Sequence, residues 1–176
     1  MNAFLHWLKR LGILGGLLVL GAYVLFWAYT LPSSVKVHVT GTEVTRRDVR
    51  DPNSKLRSQD VRYVMAEDLD GKPRMFRNQD TGWGWPPYFK FNTGDLAAQA
   101  NNFAKEDPKA VVLVRYYGFR IRMLSMFPNV LSMRKVDPDY QSIPWATIFV
   151  VLAHGVLIVA AVAVVRSWRE GPAEPA

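Results

Sequence analysis

The sequence predicts an α+β protein in which two transmembrane helices flank a small β-rich extracytoplasmic domain that contains one helix. Three observations carry this prediction. Residues 11–31 and 145–165 contain no Asp, Glu, Lys or Arg. Between them, apolar residues mostly alternate with polar ones, which is typical of half-buried strands. One stretch, 94–107, instead spaces its apolar residues at helical intervals. The 49% hydrophobic content of the 176-residue chain is thus concentrated in two blocks.

Each apolar block is long enough to cross a membrane, since a helix of this length rises about 31 Å, the thickness of the hydrocarbon core. Pro32 ends the first helix, and Ser142 with Pro144 begins the second. We therefore divide the chain into five parts. The two transmembrane helices are residues 11–31 and 143–165, and the periplasmic β-rich domain between them is residues 32–142. The cytoplasmic N-terminus is residues 1–10, and the cytoplasmic tail is residues 166–176.

The orientation of the two spans follows from the short charged flanks. Lys9 and Arg10 precede the first span, and Arg166 and Arg169 follow the second. Basic flanks stay in the cytoplasm, so both termini are expected there and the central domain in the periplasm. A cleaved signal peptide is the alternative for the first span. Its apolar stretch is too long for a signal peptide and lacks a good small-residue cleavage site, which favours a retained anchor.

The central domain is expected to contain five to seven strands in a strongly bent sheet or an open barrel. Asp70-Gly71 forms a tight turn between two of them. A continuous apolar run at 110–114 indicates a central strand, and the charged, patternless segment 46–58 is interpreted as a loop. The alternating segments that predict the other strands lie at 35–39, 61–65, 73–77 and 119–123.

The helix of the central domain is predicted over 94–107. Leu96, Ala100 and Phe103 form its apolar stripe. Thr93 or Asp95 is expected to cap its start, and Pro108 follows its end.

Composition and motifs argue against catalysis, metal binding and cofactor binding. The chain has no cysteine, which excludes disulfides, thiolate chemistry and iron–sulfur clusters. Its three histidines fall in three compartments and cannot share a metal. Asp80-Thr81-Gly82 matches the aspartic-protease tripeptide without a second copy, and the acidic residues before Gly71 lack the late ligand of a calcium loop. Both are interpreted as turns, so no catalytic, metal or cofactor residue is expected.

The most unusual segment outside the spans is the aromatic run at 81–91. Trp83, Trp85, Tyr88 and Phe89 lie in it, followed by Phe91. Such a run packs in a core, contacts a partner or lipid headgroups, or stacks on sugars. Solvent-exposed, coplanar Trp83 and Trp85 beside a carboxylate in a cleft would favour a binding module or enzyme, whereas buried rings would favour a structural role.

Four residues of the spans are candidate interaction residues. Gly12, Gly16 and Gly21 form a small-residue series that allows a second helix to approach closely. His154 lies near the middle of the second span, where an imidazole seeks a polar partner. We expect it to face the other span or a partner subunit, with Tyr23 or a backbone carbonyl as its hydrogen-bond partner.

Four motifs carry a resemblance to a known family. They are GTEVTRRDVRD, NQDTGWGWPPYFKFNTGDL, VRYYGFRIRMLSMFPNVLS and the IPW that begins the second span. Over about residues 10–168 the chain resembles an uncharacterised family of small proteobacterial two-span inner-membrane proteins, a domain of unknown function. The resemblance implies a bacterial inner-membrane protein with two spans, and it implies no activity or ligand.

The expected function is that of a non-catalytic accessory, scaffold or assembly subunit of a bacterial inner-membrane complex. The alternative is a module or enzyme that binds envelope glycans or lipids through residues 83–91. The expected partners are the lipid bilayer and a protein partner or second copy, held through the spans or the aromatic run. Nucleic acid is not expected despite the net charge of +7, because the central domain faces the periplasm.

The predicted topology is testable with single cysteines, since the chain has none. In intact spheroplasts, Ser54→Cys is expected to react with a membrane-impermeant maleimide and Ser167→Cys is not, because only the former lies in the periplasmic segment. Lysed cells, in which both positions react, are the control. The opposite labelling pattern would overturn the orientation.

Overall fold

The structure, a computed structural model, describes residues 2–50 and 56–170. A long apolar helix lies at each end of the chain, and five strands and one shorter helix lie between them. In chain order they are α1 (Asn2–Thr30), β1 (Ser33–Arg50), β2 (Leu56–Asp68), β3 (Pro73–Asn78), α2 (Thr93–Glu106), β4 (Val112–Tyr117), a 3₁₀ turn (Arg122–Leu124), β5 (Asn129–Lys135) and α3 (Trp145–Glu170).

The five strands form a closed barrel in the order β1-β2-β3-β5-β4. All neighbours are antiparallel except β3 and β5, which meet in parallel at Arg77 and Asn129. Closure depends on the length of β1. Its first residues, from Ser33, pair with β4, and its remainder, from Val37, pairs with β2. A register shift between Val39 and Gly41 bends the strand between these two partners. The sheet is thus closed, where the sequence predicted an open or bent one.

This connectivity, with α2 inserted between β3 and β4, is that of the OB barrel, a five-stranded Greek-key barrel. Fold alone does not define function, since one fold supports many sites.

Apolar residues fill the barrel interior, and alternation predicts some of them. On β2 the predicted face is wrong, because Val64 and Ala66 join the core cluster, whereas Val61 and Tyr63 are buried outside that cluster. Val37 and Val39 of β1 are buried, which confirms the pattern at 35–39. Asp70-Gly71 forms the predicted turn, with Gly71 at φ +77° between β2 and β3. The other members of the core are Val64, Ala66, Phe76, Ala110, Val112, Val114, Val130 and Met133.

Helix α2 covers the barrel with its apolar stripe and confirms the predicted helix. Leu96 and Ala100 are buried in the same core, and Phe103 is partly buried against it. The predicted caps are wrong. Thr93 is the first helical residue rather than the cap, and its backbone N–H and hydroxyl both donate to Asp80 Oδ1, at 3.0 and 2.7 Å. A carboxylate from the preceding loop therefore supplies the acceptor that a helix start requires.

Two predictions of local structure are wrong. Segment 46–58 is not all loop, because β1 continues to Arg50 and β2 begins at Leu56; residues 51–55 lie outside the described residues. Segment 119–123 is not a strand. It begins a loop between β4 and β5, residues 118–128, with a single bridge between Ile121 and Met126. The basic and apolar alternation there reflects an exposed turn rather than a pleated face.

Helices α1 and α3 each contain a stretch long and apolar enough to cross a membrane, Lys9–Thr30 and Trp145–Arg169. Helix α1, the barrel and α2 belong to one compact unit that ends at Gln141. Helix α3 belongs to a second unit that begins at Ser142. The coarse architecture predicted from sequence, two apolar helices on either side of a β-rich domain with one helix, is therefore confirmed.

The stability of the barrel should depend on the α2 contact. Leu96→Ala is expected to lower the free energy of unfolding by about 2–5 kcal/mol, because the removed side chain is only 4% exposed. Leu69→Ala, in the exposed turn between β2 and β3, is the matched control and should change it by less than about 0.5 kcal/mol. Urea titration of the detergent-solubilised protein, followed by near-ultraviolet circular dichroism, measures both. Equal losses would show that α2 does not pack as described.

Candidate functional site

The aromatic run lies in the loop between β3 and α2, residues 79–92, which we call the aromatic loop. Its rings are mostly exposed. Trp83 is 84% and Trp85 61% exposed, and Phe89 and Phe91 are also more than half exposed. The alternative in which the aromatic run packs in the core is therefore wrong for these four side chains. Only Tyr88 is half-buried.

The exposed rings contact one another and the last turns of α1. Trp83 meets Phe89 and Phe91 edge-on, with ring centroids 5.4 and 6.0 Å apart. Trp85 instead stacks on Phe26 of α1, with centroids 5.4 Å apart and planes 19° apart. The loop thus reaches along α1 to a residue about one helical turn before its end.

The end of α1 is held by two hydrogen bonds to its last backbone carbonyls. Gly118 N–H donates to Tyr29 O at 3.0 Å, and the Tyr88 hydroxyl donates to Thr30 O. Gly118 adopts φ +90°, and a Cβ there would lie 3.4 Å from the Tyr29 ring. The distance is an ordinary contact, so it is the backbone conformation that favours glycine here, because an L side chain is strained at this φ.

An aromatic cluster surrounds these hydrogen bonds. The Tyr29 ring meets Tyr117 and Phe119 edge-on, and Tyr88 lies against Tyr117 with centroids 5.1 Å apart. Burial raises the pKa of Tyr88 to about 12 and raises that of Tyr117. Both phenols are thus neutral and can donate a hydrogen bond at physiological pH.

A buried lysine holds the aromatic loop in place. Lys90 is 5% exposed, between the exposed Phe89 and Phe91. Its ammonium donates to Asn78 Oδ1 at 2.8 Å, Gln79 O at 3.0 Å and Thr93 Oγ1 at 3.1 Å. Three donors meet three acceptors, so the group is satisfied within the protein.

Removal from water lowers the pKa of Lys90 to about 8, and the nearby Asp80 carboxylate opposes this shift. A lowered lysine pKa is typical of nucleophilic lysines. Here, however, every ammonium hydrogen is engaged, which indicates a structural role.

Asp80 is placed by the same network rather than by a protease-like strand. Its Oδ1 accepts both hydrogen bonds from Thr93 at the start of α2. The Asp80 carboxylate in the predicted turn Asp80-Thr81-Gly82 thus accepts hydrogen bonds from a residue 13 positions later in the chain. Asn129, at the start of β5, closes the network by donating to Gln79 O and to the Tyr117 hydroxyl oxygen.

The acidic turn predicted at 67–71 is confirmed. Asp68 Oδ1 accepts the backbone N–H groups of Asp70 and Lys72 at 3.1 and 2.8 Å, and Arg74 approaches Oδ2 at 3.5 Å. The hydrogen bond from Lys72 is the main cause of the lowered pKa of Asp68. In the described ranges, 2–50 and 56–170, no group of three His, Cys, Asp or Glu side chains is arranged to hold a metal ion.

The candidate interaction residues of the spans are His154 of α3 and three glycines of α1. His154 Nδ1–H donates to Val150 O of its own helix at 2.6 Å, which is the backbone-carbonyl alternative of the prediction. A Cβ added to Gly12, Gly16 or Gly21 would meet nothing within 4 Å. The proposed interaction roles of these residues stay predictions.

Sequence reasoning missed the polar residues behind the aromatic rings. Lys90 carried a weak signal, since it interrupts an apolar run immediately before a helix. Asn78, which is fully buried, and Asn129 carried none, because their roles depend on strands far apart in sequence.

Fold and site together define a five-stranded barrel that has one apolar helix fixed to it and a second apolar helix later in the chain. The particular family is shown by sequence comparison. The chain matches the family described as "Protein of unknown function (DUF1523)" over residues 8–169 and belongs to it. This confirms the resemblance carried by the four motifs.

A relative from Haemophilus influenzae, named "Uncharacterized protein", is 35% identical over 116 residues. The match covers 63% of this chain and 66% of the relative, just under two thirds of its length. No solved structure matches the chain.

The burial of Lys90 makes a pH-dependent prediction. Its pKa is about 8 in the folded protein, against an ordinary value of 10.5. Between these values the unfolded chain holds a proton that the folded chain has released, so the free energy of unfolding rises with pH. From pH 7 to 9.5 the rise is expected to be roughly 1–2 kcal/mol.

Lys90→Met should abolish that rise, whereas Lys105→Met, at an exposed position on α2, should keep it. Urea titrations of the three proteins at both pH values measure the effect. A rise of equal size in Lys90→Met would assign the pH dependence to other groups.

Proposed function

We propose that the protein is a non-catalytic, membrane-anchored binding module of the bacterial inner membrane. In this proposal α1 and α3 cross the bilayer, both termini are cytoplasmic, and the barrel rests on the periplasmic surface. The aromatic loop lies in the lipid headgroup layer and makes the contact with the membrane.

The single observation that carries the proposal is the stacking of Trp85 on Phe26. Phe26 belongs to the stretch of α1 that is apolar enough to span a membrane, which ends at Thr30. If α1 spans the bilayer, Trp85 lies about one helical turn, or about 6 Å, below the end of the span. Tryptophan prefers this interfacial depth.

Two further features agree with contact between this end of the barrel and lipid. The loop between β4 and β5 begins at Gly118, beside Tyr29, and exposes 97% of Met123 and 66% of Leu124. The same loop carries Arg120 and Arg122, which suit lipid phosphates. Exposed apolar side chains near a membrane helix are stable when lipid rather than water surrounds them.

The non-catalytic part of the proposal is supported by the hydrogen bonds that the two charged side chains of the aromatic loop make within the protein. Lys90 and Asp80 hold backbone and side-chain partners of the fold, as described above. Their chemistry is used to position the loop.

An accessory or scaffold subunit is the second candidate. It is favoured by the small-residue series of α1, in which Gly12 and Gly16 are four residues apart. Small residues at this spacing admit a helix of a protein partner or of a second copy. The two functions are compatible, since a bilayer-docked barrel can be part of a larger assembly.

The depth of the aromatic loop can be measured directly. Trp83→Cys, labelled with an environment-sensitive fluorophore in nanodiscs, is expected to show blue-shifted emission and quenching by lipids that carry a headgroup-region nitroxide. Lys105→Cys is the control, because it lies near the other end of α2, about 15–20 Å along the helix. Quenching of the label at position 83 by aqueous iodide, with no quenching by lipid, would overturn the docking.

A further inference from the structure

A cavity of about 230 Å³ lies beside the end of α1. It is lined by one side chain of α1, by the end of β3, and by both loops that contact α1. The side chains that matter for its chemistry are Tyr29, Arg77, Asp80, Thr81, Trp85 and Tyr117.

Two opposite charges line this cavity without neutralising each other. Arg77 and Asp80 both contribute to its wall, yet they form no ion pair within 4.0 Å. Within the described part of the chain, the Arg77 guanidinium has neither an ion pair nor a side-chain hydrogen bond. Asp80 uses Oδ1 to cap α2, and no described group donates to its Oδ2.

The uncharged polar groups add donors on the cavity wall. Tyr117 is 8% exposed, and its hydroxyl oxygen accepts from Asn129 Nδ2 at 3.1 Å. Its hydroxyl proton therefore remains available for a ligand. Thr81 Oγ1 likewise accepts from Lys90 N–H at 3.1 Å and keeps its own proton. A guanidinium with neighbouring hydroxyl donors is the arrangement that binds phosphate oxygens.

The remaining walls are aromatic. Tyr29 and Trp85 line the cavity, and Trp85 stacks on Phe26 of α1. Aromatic faces attract an ammonium group, as does a carboxylate oxygen such as Asp80 Oδ2. The cavity therefore offers an anion site and a cation site within one small volume.

We propose that this cavity binds the zwitterionic headgroup of a membrane phospholipid of the phosphoethanolamine type. The phosphate lies at Arg77 and the ammonium at Asp80 and the aromatic walls. The ligand is lipid-borne because Tyr29, one wall of the cavity, is the penultimate residue of α1. The inference rests on the proposed docking of the barrel, since only a docked barrel brings the cavity to the headgroup layer.

The test uses full-length protein reconstituted in nanodiscs of phosphatidylethanolamine and phosphatidylglycerol, then extracted in mild detergent. Native mass spectrometry counts the lipid that stays bound. Wild type is expected to retain phosphatidylethanolamine over phosphatidylglycerol. Arg77→Gln should reduce that retention by about tenfold or more, because a charge-assisted hydrogen bond is lost.

Lys105→Gln is the control, because it removes one positive charge from an exposed position on α2 that does not line the cavity. It should leave retention unchanged. Asp80→Asn keeps an oxygen for the α2 cap and should lose the preference for phosphatidylethanolamine. Near-ultraviolet circular dichroism identical to that of wild type verifies that each variant is folded.

Each other outcome overturns a defined part of the proposal. Equal loss in Arg77→Gln and Lys105→Gln overturns the cavity as the site. An unchanged preference in Asp80→Asn overturns the ammonium assignment. Displacement of the bound lipid by equimolar soluble glycerophosphoethanolamine or inorganic phosphate overturns the lipid source. The depth measurement separates the two proposals. If lipid quenches the label at position 83 but the protein shows no preference for phosphatidylethanolamine, only the headgroup site is overturned. If lipid does not quench the label, the docking of the barrel is overturned.

Discussion

The contact between the last turn of α1 and the barrel is the constraint on which the rest of the site depends. Gly118 adopts φ +90°, where any larger residue would be strained, and in this conformation its N–H donates to the Tyr29 carbonyl. The Tyr88 and Gly118 hydrogen bonds then satisfy the last carbonyls of α1, which a helix end otherwise leaves without partners. With α1 fixed in this way, two loops and one cavity are assembled around it.

The burial of Lys90 explains how the aromatic loop presents its rings. Its side chain turns into the protein, so Phe89 and Phe91 on either side of it turn outward. Removing an ammonium from water is costly, and the three acceptors offset that cost. The pKa of Lys90 is lowered because these acceptors offset only part of the cost of removing the charge from water. A loop held by such a network keeps its exposed aromatic side chains in a defined arrangement, which a flexible loop would not.

The barrel and the site carry different information about function. The OB connectivity brings the C-terminal ends of β3 and β4 close to the start of β1, next to the end of α1. This arrangement positions the two loops. The proposed lipid binding depends on the side chains placed there: Arg77 without an ion pair, Asp80 with Oδ2 free of described donors, and the aromatic walls. Membership of the family described as "Protein of unknown function (DUF1523)" is consistent with this chemistry and assigns none of it.

The sequence by itself determined the elements whose signal is local. The apolar helices, the α2 stripe and the Val37–Val39 alternation were predictable, because local periodicity decides which face of a helix or strand is apolar. Only the tertiary structure decided the closure of the barrel by β1, the burial of Lys90, and the meeting of Arg77 and Asp80 in one cavity with Tyr29. These depend on pairings between distant strands and on the docking of α1, which no local pattern encodes. For the same reason segment 119–123 alternates like a strand yet forms a loop, since no neighbouring strand pairs with it.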